Sequence, residues 1–196
     1  MRTLLKRFTW QDLTLISLIA AMSIVTKPYV RAPFAFVQNA FGIPVGSFIG
    51  GVYMFWPVLV GKVIPKPGAV LLTCLLQGFL ALATGFTGLL GPAAFFSYLP
   101  PGLVIEAPFW LIRRVEVTPA AELVLLIMAG ALGNAAGAVS NALLFFALSG
   151  KVVAVTLVSS LVTGGGGGWL AFAVGRAFCL HRDRLAASRS APKTAS

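Results

Sequence analysis

From Gly46 to Thr84 only two side chains are charged, Lys62 and Lys66, and they bracket one short turn, Ile64-Pro65-Lys66-Pro67-Gly68-Ala69. The apolar runs on either side are continuous and near the length that spans a bilayer as a helix, about 20 residues. A membrane barrel would instead show alternation over segments of about ten residues. The rest of the chain has the same character. Hydrophobic residues make up 58% of the 196 and charged residues 10%, against about 25% charged in a soluble domain. That leaves too little polar surface to cover a soluble globule. The pattern predicts an all-α integral membrane protein, a bundle of six transmembrane helices.

In order, the chain predicts a basic leader over Met1–Thr9 and a first span over Trp10–Val25. This span reads as retained rather than as a cleaved signal, because no small-x-small cleavage site follows before Lys27-Pro28. The segment from Lys27 to Pro44 is interrupted by Pro28, Arg31, Pro33, Gln38 and Asn39, and reads as an external loop with a short re-entrant or interfacial helix. Further spans are expected at Gly46–Val63, Gly68–Thr84, Pro92–Ile112, Ala120–Leu148 and Val152–Phe178. Pro100-Pro101-Gly102 should break or kink the fourth. The first 178 residues form the expected membrane domain, and 179–196 a disordered basic tail.

The net charge of +10 would suggest nucleic acid on a soluble chain. Here the basic residues cluster at helix ends and in the tail, so they read as topology signals beside membrane lipid, with no nucleic-acid partner. Of the 15 Lys and Arg, 12 fall on the N-terminal side of the bundle and 3 (Lys27, Arg31 and Lys151) on the other. By the positive-inside rule this is a multi-pass protein of the cytoplasmic membrane with both termini in the cytoplasm.

Few residues can carry chemistry. Cys74, Cys179 and a single His make no metal-ligand cluster. Gly61-Lys62 and Gly150-Lys151 are each followed by Val, so there is no phosphate loop, and the five glycines Gly164–Gly168 do not supply one. No Ser–His–Asp or HExxH arrangement is present. An enzyme is not expected, and no cofactor is implied. Glu106 is the one acid inside a span, where a carboxylate costs about 2.5–3.5 kcal/mol and needs a partner. It is a substrate-binding candidate or a structural acid paired with Arg113. Gln77, Asn134 and Asn141 are amides inside spans, each either ligand contact or interhelical glue. Tyr53, Trp56 and Tyr98 are belt aromatics or stacking residues. With Gln77, Asn141 and Glu106 they make the candidate substrate-binding set.

Several features together resemble the substrate-binding S components of energy-coupling factor (ECF) vitamin transporters, and within them the YkoE-like family linked to thiamine or its hydroxymethylpyrimidine precursor. Six spans fit into about 190 residues before a basic tail. The third helix opens Lys66-Pro67-Gly68-Ala69 after an aromatic-bearing second helix. The fourth holds Gly102 and Glu106-Ala107-x-Phe109, and the fifth holds Met128-Ala129-Gly130 and Asn141. Where the family pattern has acids on the third helix, Cys74 and Ala81 stand here, and an acid is also expected where Asn141 lies. A cationic ligand such as thiamine would find fewer counter-charges, and a neutral pyrimidine or related vitamin fits at least as well.

The resemblance implies a binding subunit that holds a vitamin-like small molecule near the outer face. It then docks on a transmembrane T component and two ATPase subunits, which supply the energy that a chain without a phosphate loop lacks. Small-xxx-small residues of the first helix make the docking face in the family. Ser17 and Ala21 have that spacing here, in place of Ala-xxx-Ala. A non-transporting membrane scaffold and a stand-alone small carrier are the competing readings.

Overall fold

The computed structural model describes residues 8–34, 45–142 and 150–190, and they are helical with no strand among them. The first helix, α1 (Trp10–Arg31), starts at a capping box. Thr9 Oγ1 accepts from the Asp12 N–H, and Asp12 Oδ2 accepts from the Thr9 N–H at 2.7 Å, so two orphan donors are satisfied reciprocally. This helix does not stop at Val25. It carries Pro28 and runs to Arg31, then tightens into a 3₁₀ turn, Ala32–Phe34. The external loop expected from Lys27 is therefore corrected: its first turn belongs to the span. A proline removes one N–H, and a membrane helix packed against neighbours tolerates that loss. The expected re-entrant stretch and the basic leader fall on 35–44 and 1–7, outside the described residues.

The hairpin follows as α2 (Val45–Val63) and α3 (Ala69–Thr84). Gly68 opens α3 with φ +86° and Gly85 closes it with φ +73°, left-handed conformations that glycine adopts without a Cβ penalty. After a 3₁₀ turn, Gly88–Ala93, come α4 (Ala94–Ser97) and α5 (Leu99–Ile112). The expected break at Pro100-Pro101-Gly102 is also corrected. The interruption is at Tyr98, and the two prolines sit in the first turn of α5, where their missing N–H groups have no intrahelical partner to lose. Next is α6 (Pro119–Asn141), capped by the Thr118 hydroxyl, with 143–149 outside the described residues.

The last helix, α7 (Gly150–Ser190), runs straight through the five glycines and on through His181–Arg184. The segment expected as a disordered tail is thus helical as far as Ser190, and 191–196 lie outside the described residues. Among the described residues four helical stretches are long and apolar enough to cross a membrane: Trp10–Arg31, Gly91–Ile112, Pro119–Asn141 and Gly150–Arg184. The apolar Ile49–Val63 and Ala69–Thr84 are shorter.

The glycines decide how α7 packs. It lies chiefly against α6 and α2. A Cβ at Gly167 would overlap the Gly51 carbonyl oxygen, and one at Gly164 the Gly130 carbonyl oxygen. Backbone therefore touches backbone on both sides of α7, a small-residue interface of the kind that holds helices together in lipid. Asn134 adds polar glue, donating from Nδ2 to the Ser160 carbonyl at 3.0 Å and to Thr163 Oγ1 at 3.2 Å. Asn134→Leu is expected to lower bundle stability by about 1–2 kcal/mol and to leave ligand affinity unchanged, as read by thermal unfolding and titration in detergent.

The apolar core is not spread evenly. It comprises Ile16, Ile19, Val58–Val60, Val63, Ile64, Ala69, Val70, Cys74, Ile105, Phe109, Leu126, Ala129 and Ala171. These residues lie toward the end of the bundle that holds the Ile64–Gly68 turn. The same end carries three ion pairs, Lys66–Asp12 and Lys62–Glu122 between distant segments and Arg113–Glu106 between α5 and its C-cap. Trp10 and Trp110 lie exposed toward this end, and Tyr29 toward the other, the positions of an interfacial aromatic belt.

Candidate functional site

Away from the core cluster, buried polar side chains join apolar ones such as Ile24, Ile49 and Ala94. The organising residue is Lys27, about two helical turns beyond Ile19 and three beyond Ile16. Its ammonium donates to the Tyr98 hydroxyl. It also lies 4.1 Å from the Tyr98 ring centroid and 5.2 Å from that of Tyr53, within the range of cation–π attraction. One α1 side chain thus gathers α2 and the junction of α4 and α5. On α3, Gly78 packs against the Tyr98 ring, and Gln77 beside it is 4% exposed.

Helix register brings Asn141 to the same level. Gly133 of α6 faces Ile105, and Gly137 faces Pro101. Continuing this antiparallel register by one turn puts Asn141 at the level of Ser97. On α7 the pairing of Asn134 with Ser160 sets Thr156 about one turn further from the core. Among the described residues the buried Trp56 Nε1, Gln77 Nε2, Asn141 Oδ1, Thr156 Oγ1 and Ser160 Oγ have no hydrogen-bond partner, and at the ion-paired end neither do Glu106 Oε2 and Arg113 NH1. Buried polar atoms are normally satisfied, so a group of such orphans calls for an explanation. A ligand with both donors and acceptors supplies one. Trp56, one turn from Tyr53 on α2, packs edge-on to Phe55 at 4.9 Å between centroids.

Five of the six substrate-binding residues expected from the sequence, Tyr53, Trp56, Gln77, Tyr98 and Asn141, therefore lie on the walls of the polar half or at its border with the core. Glu106 does not. It is eight residues beyond Tyr98, about 12 Å along the helix axis at 1.5 Å per residue. Its Oε1 accepts from the Gly68 N–H at 2.9 Å and from Arg113 NH2 at 2.6 Å. Gly68 has no side chain to cap α3, and a carboxylate from another helix does so instead. Through Oε1 Glu106 ties the hairpin turn to Arg113 at the ion-paired end, while its buried Oε2 has no partner among the described residues.

Sequence reasoning missed Lys27, Thr156 and Ser160. Lys27 was counted among loop charges because Pro28 follows it. The signal that could have found it is the apolar periodicity of α1 continuing to Tyr29-Val30. Ser17 and Ala21 both lie on the exposed face of α1, opposite buried Ile16, Ile19, Ala20, Ser23 and Ile24. An apolar groove between α5 and α6, lined by Leu103, Ala107, Leu111, Met128 and Leu132 among others, faces outward and belongs to the lipid-facing surface.

This helical bundle has a fold known from a solved transporter component. It is similar to a crystal structure of an S component of an ECF transporter, with a TM-score of 0.75 and 21% sequence identity over 96% of this chain and 99% of the other. The sequence assigns the family directly. Residues 11–136, well over half the chain, match the family described as ABC-type cobalt transport system, permease component, and the protein belongs to that family. It is a family of transport proteins and not of enzymes. Among curated proteins, none matches the sequence.

Proposed function

We propose that this protein is the substrate-binding S component of an ECF-type importer. It binds a vitamin-like small molecule in the polar half of the bundle and delivers it inward with a T component and two ATPase subunits. The observation that carries this reading is that five of the seven unsatisfied buried polar atoms among the described residues, with the faces of two tyrosines, lie away from the ion-paired end of an S-component fold. Residues 1–178 form the binding unit, and 179–196 extend it on the cytoplasmic side, where the positive-inside rule puts both termini. The polar half then faces outward, as an importer requires. Ser17 and Ala21, on the free face of α1, are the docking residues for the T component.

Tyr53 and Tyr98 would stack a flat ring, with Trp56 at its border, while Gln77 and Asn141 hydrogen-bond its edge. Thiamine and hydroxymethylpyrimidine, the ligands of the family this sequence resembles, are the first compounds to titrate. Cationic thiamine would meet Lys27 with no carboxylate nearby, since Glu106 is committed at the other end. Cobalt as cargo has no support in the side chains: among the described residues no three His, Cys, Asp or Glu converge.

The test is mass spectrometry of small molecules that co-purify with the detergent-solubilised chain, followed by titration on tryptophan fluorescence. A stoichiometric ligand is expected. Gln77→Ala and Asn141→Ala should each weaken it by about 5- to 10-fold, the loss of one hydrogen bond of about 1 kcal/mol or slightly more. An empty protein with no response would favour a scaffold. Solute flux in liposomes without ATPase partners would favour a stand-alone carrier.

A further inference from the structure

We infer that the bound compound carries a carboxylate, which pairs with Lys27; this deepens the binding-subunit reading and rests on it. Among the described residues the Lys27 ammonium has no anionic partner. All five acidic side chains are among the described residues, and each lies elsewhere. Asp12 holds Lys66, Glu106 holds Arg113, Glu122 holds Lys62 and Asp183 holds Arg182. Glu116 lies exposed in the connection after α5, at the ion-paired end. What Lys27 does have is the Tyr98 hydroxyl and the faces of Tyr53 and Tyr98. These solvate a cation without neutralising it, and one hydroxyl uses only one of the three ammonium donors.

The neighbouring orphans point the same way. Gln77 Nε2 and Trp56 Nε1 are buried donors without acceptors. A carboxylate is an acceptor-only group with two oxygens, so it can answer an ammonium and one of these donors at once. Asn141 Oδ1, on the opposite wall, is an orphan acceptor that suits a donor elsewhere on the same ligand. Arg31 lies one turn further along α1, so positive charge gathers at this end and a cationic ligand would be repelled.

The experiment pairs the mass of the compound extracted from the purified full chain with fluorescence titrations. The extracted compound is compared with its own amide, and nicotinate with nicotinamide, pantothenate with pantothenol and biotin with biotin amide. The carboxylate form is expected to bind about 30-fold more tightly or better, the effect of removing one partner of a buried charge pair. Lys27→Gln should remove that preference and Lys27→Arg should keep most of it. If Lys27→Gln does not fold, the acid-against-amide ratio on the unaltered protein decides alone. A neutral or cationic extracted compound, a phosphate ester or lipid headgroup, or an acid that binds no better than its amide overturns the carboxylate and leaves the binding subunit standing. An empty protein with no response to any probe overturns both.

Discussion

Gly167→Ala is expected to lower bundle stability by about 3 kcal/mol or more, while Gly166→Ala, one residue away, leaves it unchanged or raises it by up to about 1 kcal/mol. The two sites have the same helix, the same neighbours in sequence and the same substitution. They differ in what the added methyl meets. At Gly167 it would overlap the Gly51 carbonyl, and at Gly166 there is open space. Overpacking costs least when a flexible side chain can move aside. Here the obstacle is the backbone of a glycine that is itself pressed against α7, because a Cβ at Gly51 would overlap the Thr163 carbonyl. Neither helix has a side chain to rearrange, so the whole α2–α7 contact must open. The measurement is the unfolding midpoint of each variant in detergent, with size-exclusion chromatography as the check on folding. Equal loss at both positions would show that α7 does not pack on this face.

The second large effect is expected at Glu106. Glu106→Leu should lower stability by about 3–5 kcal/mol, the range for removing one member of a buried ion pair. Two groups lose their partner: the Arg113 guanidinium, 14% exposed, and the Gly68 N–H that begins α3. Arg113→Met added to Glu106→Leu should recover much of the loss, since the uncompensated charge is then gone. Glu106→Gln, which keeps an acceptor for Gly68, should fall between. Ligand affinity in the folded Glu106→Gln protein should match the parent, because the carboxylate is committed about two turns away from Tyr98. A large affinity loss in that variant, with stability intact, would return Glu106 to the ligand.

These two sites show how far the sequence could be read. The run of five glycines is plain in the sequence, and so is its placement in an apolar span. Which of the five are pressed against a carbonyl depends on the rotation of α7 against two helices more than 30 residues away in the chain. Glu106 is equally visible as the one acid inside a span. Its competing roles differ only in which groups lie within hydrogen-bond reach, and Gly68 is 38 residues away. At Lys27 local signals gave the wrong reading. Proline next to a basic residue resembles a loop, yet helix packing in a membrane can hold the span together through a proline. At Pro100-Pro101 the residues were right and the consequence was wrong, because a proline that breaks a helix interior is comfortable in its first turn.

The sequence by itself determined the membrane class, the helical hairpin about Gly68, the approximate spans and the one-sided distribution of positive charge. Each of these follows from the length of an apolar run or the position of a charge along the chain, quantities that need no knowledge of neighbouring helices. Only the tertiary structure decided which polar residues act together. It brought Lys27 to Tyr53 and Tyr98, left Gln77 Nε2 and Asn141 Oδ1 without a partner among the described residues, and set Glu106 Oε1 against Gly68 and Arg113. The reason is that a buried polar atom is defined by its partners. In a bundle of antiparallel helices those partners are set by register and rotation, which tight contacts such as Gly51–Gly167 and Gly130–Gly164 fix.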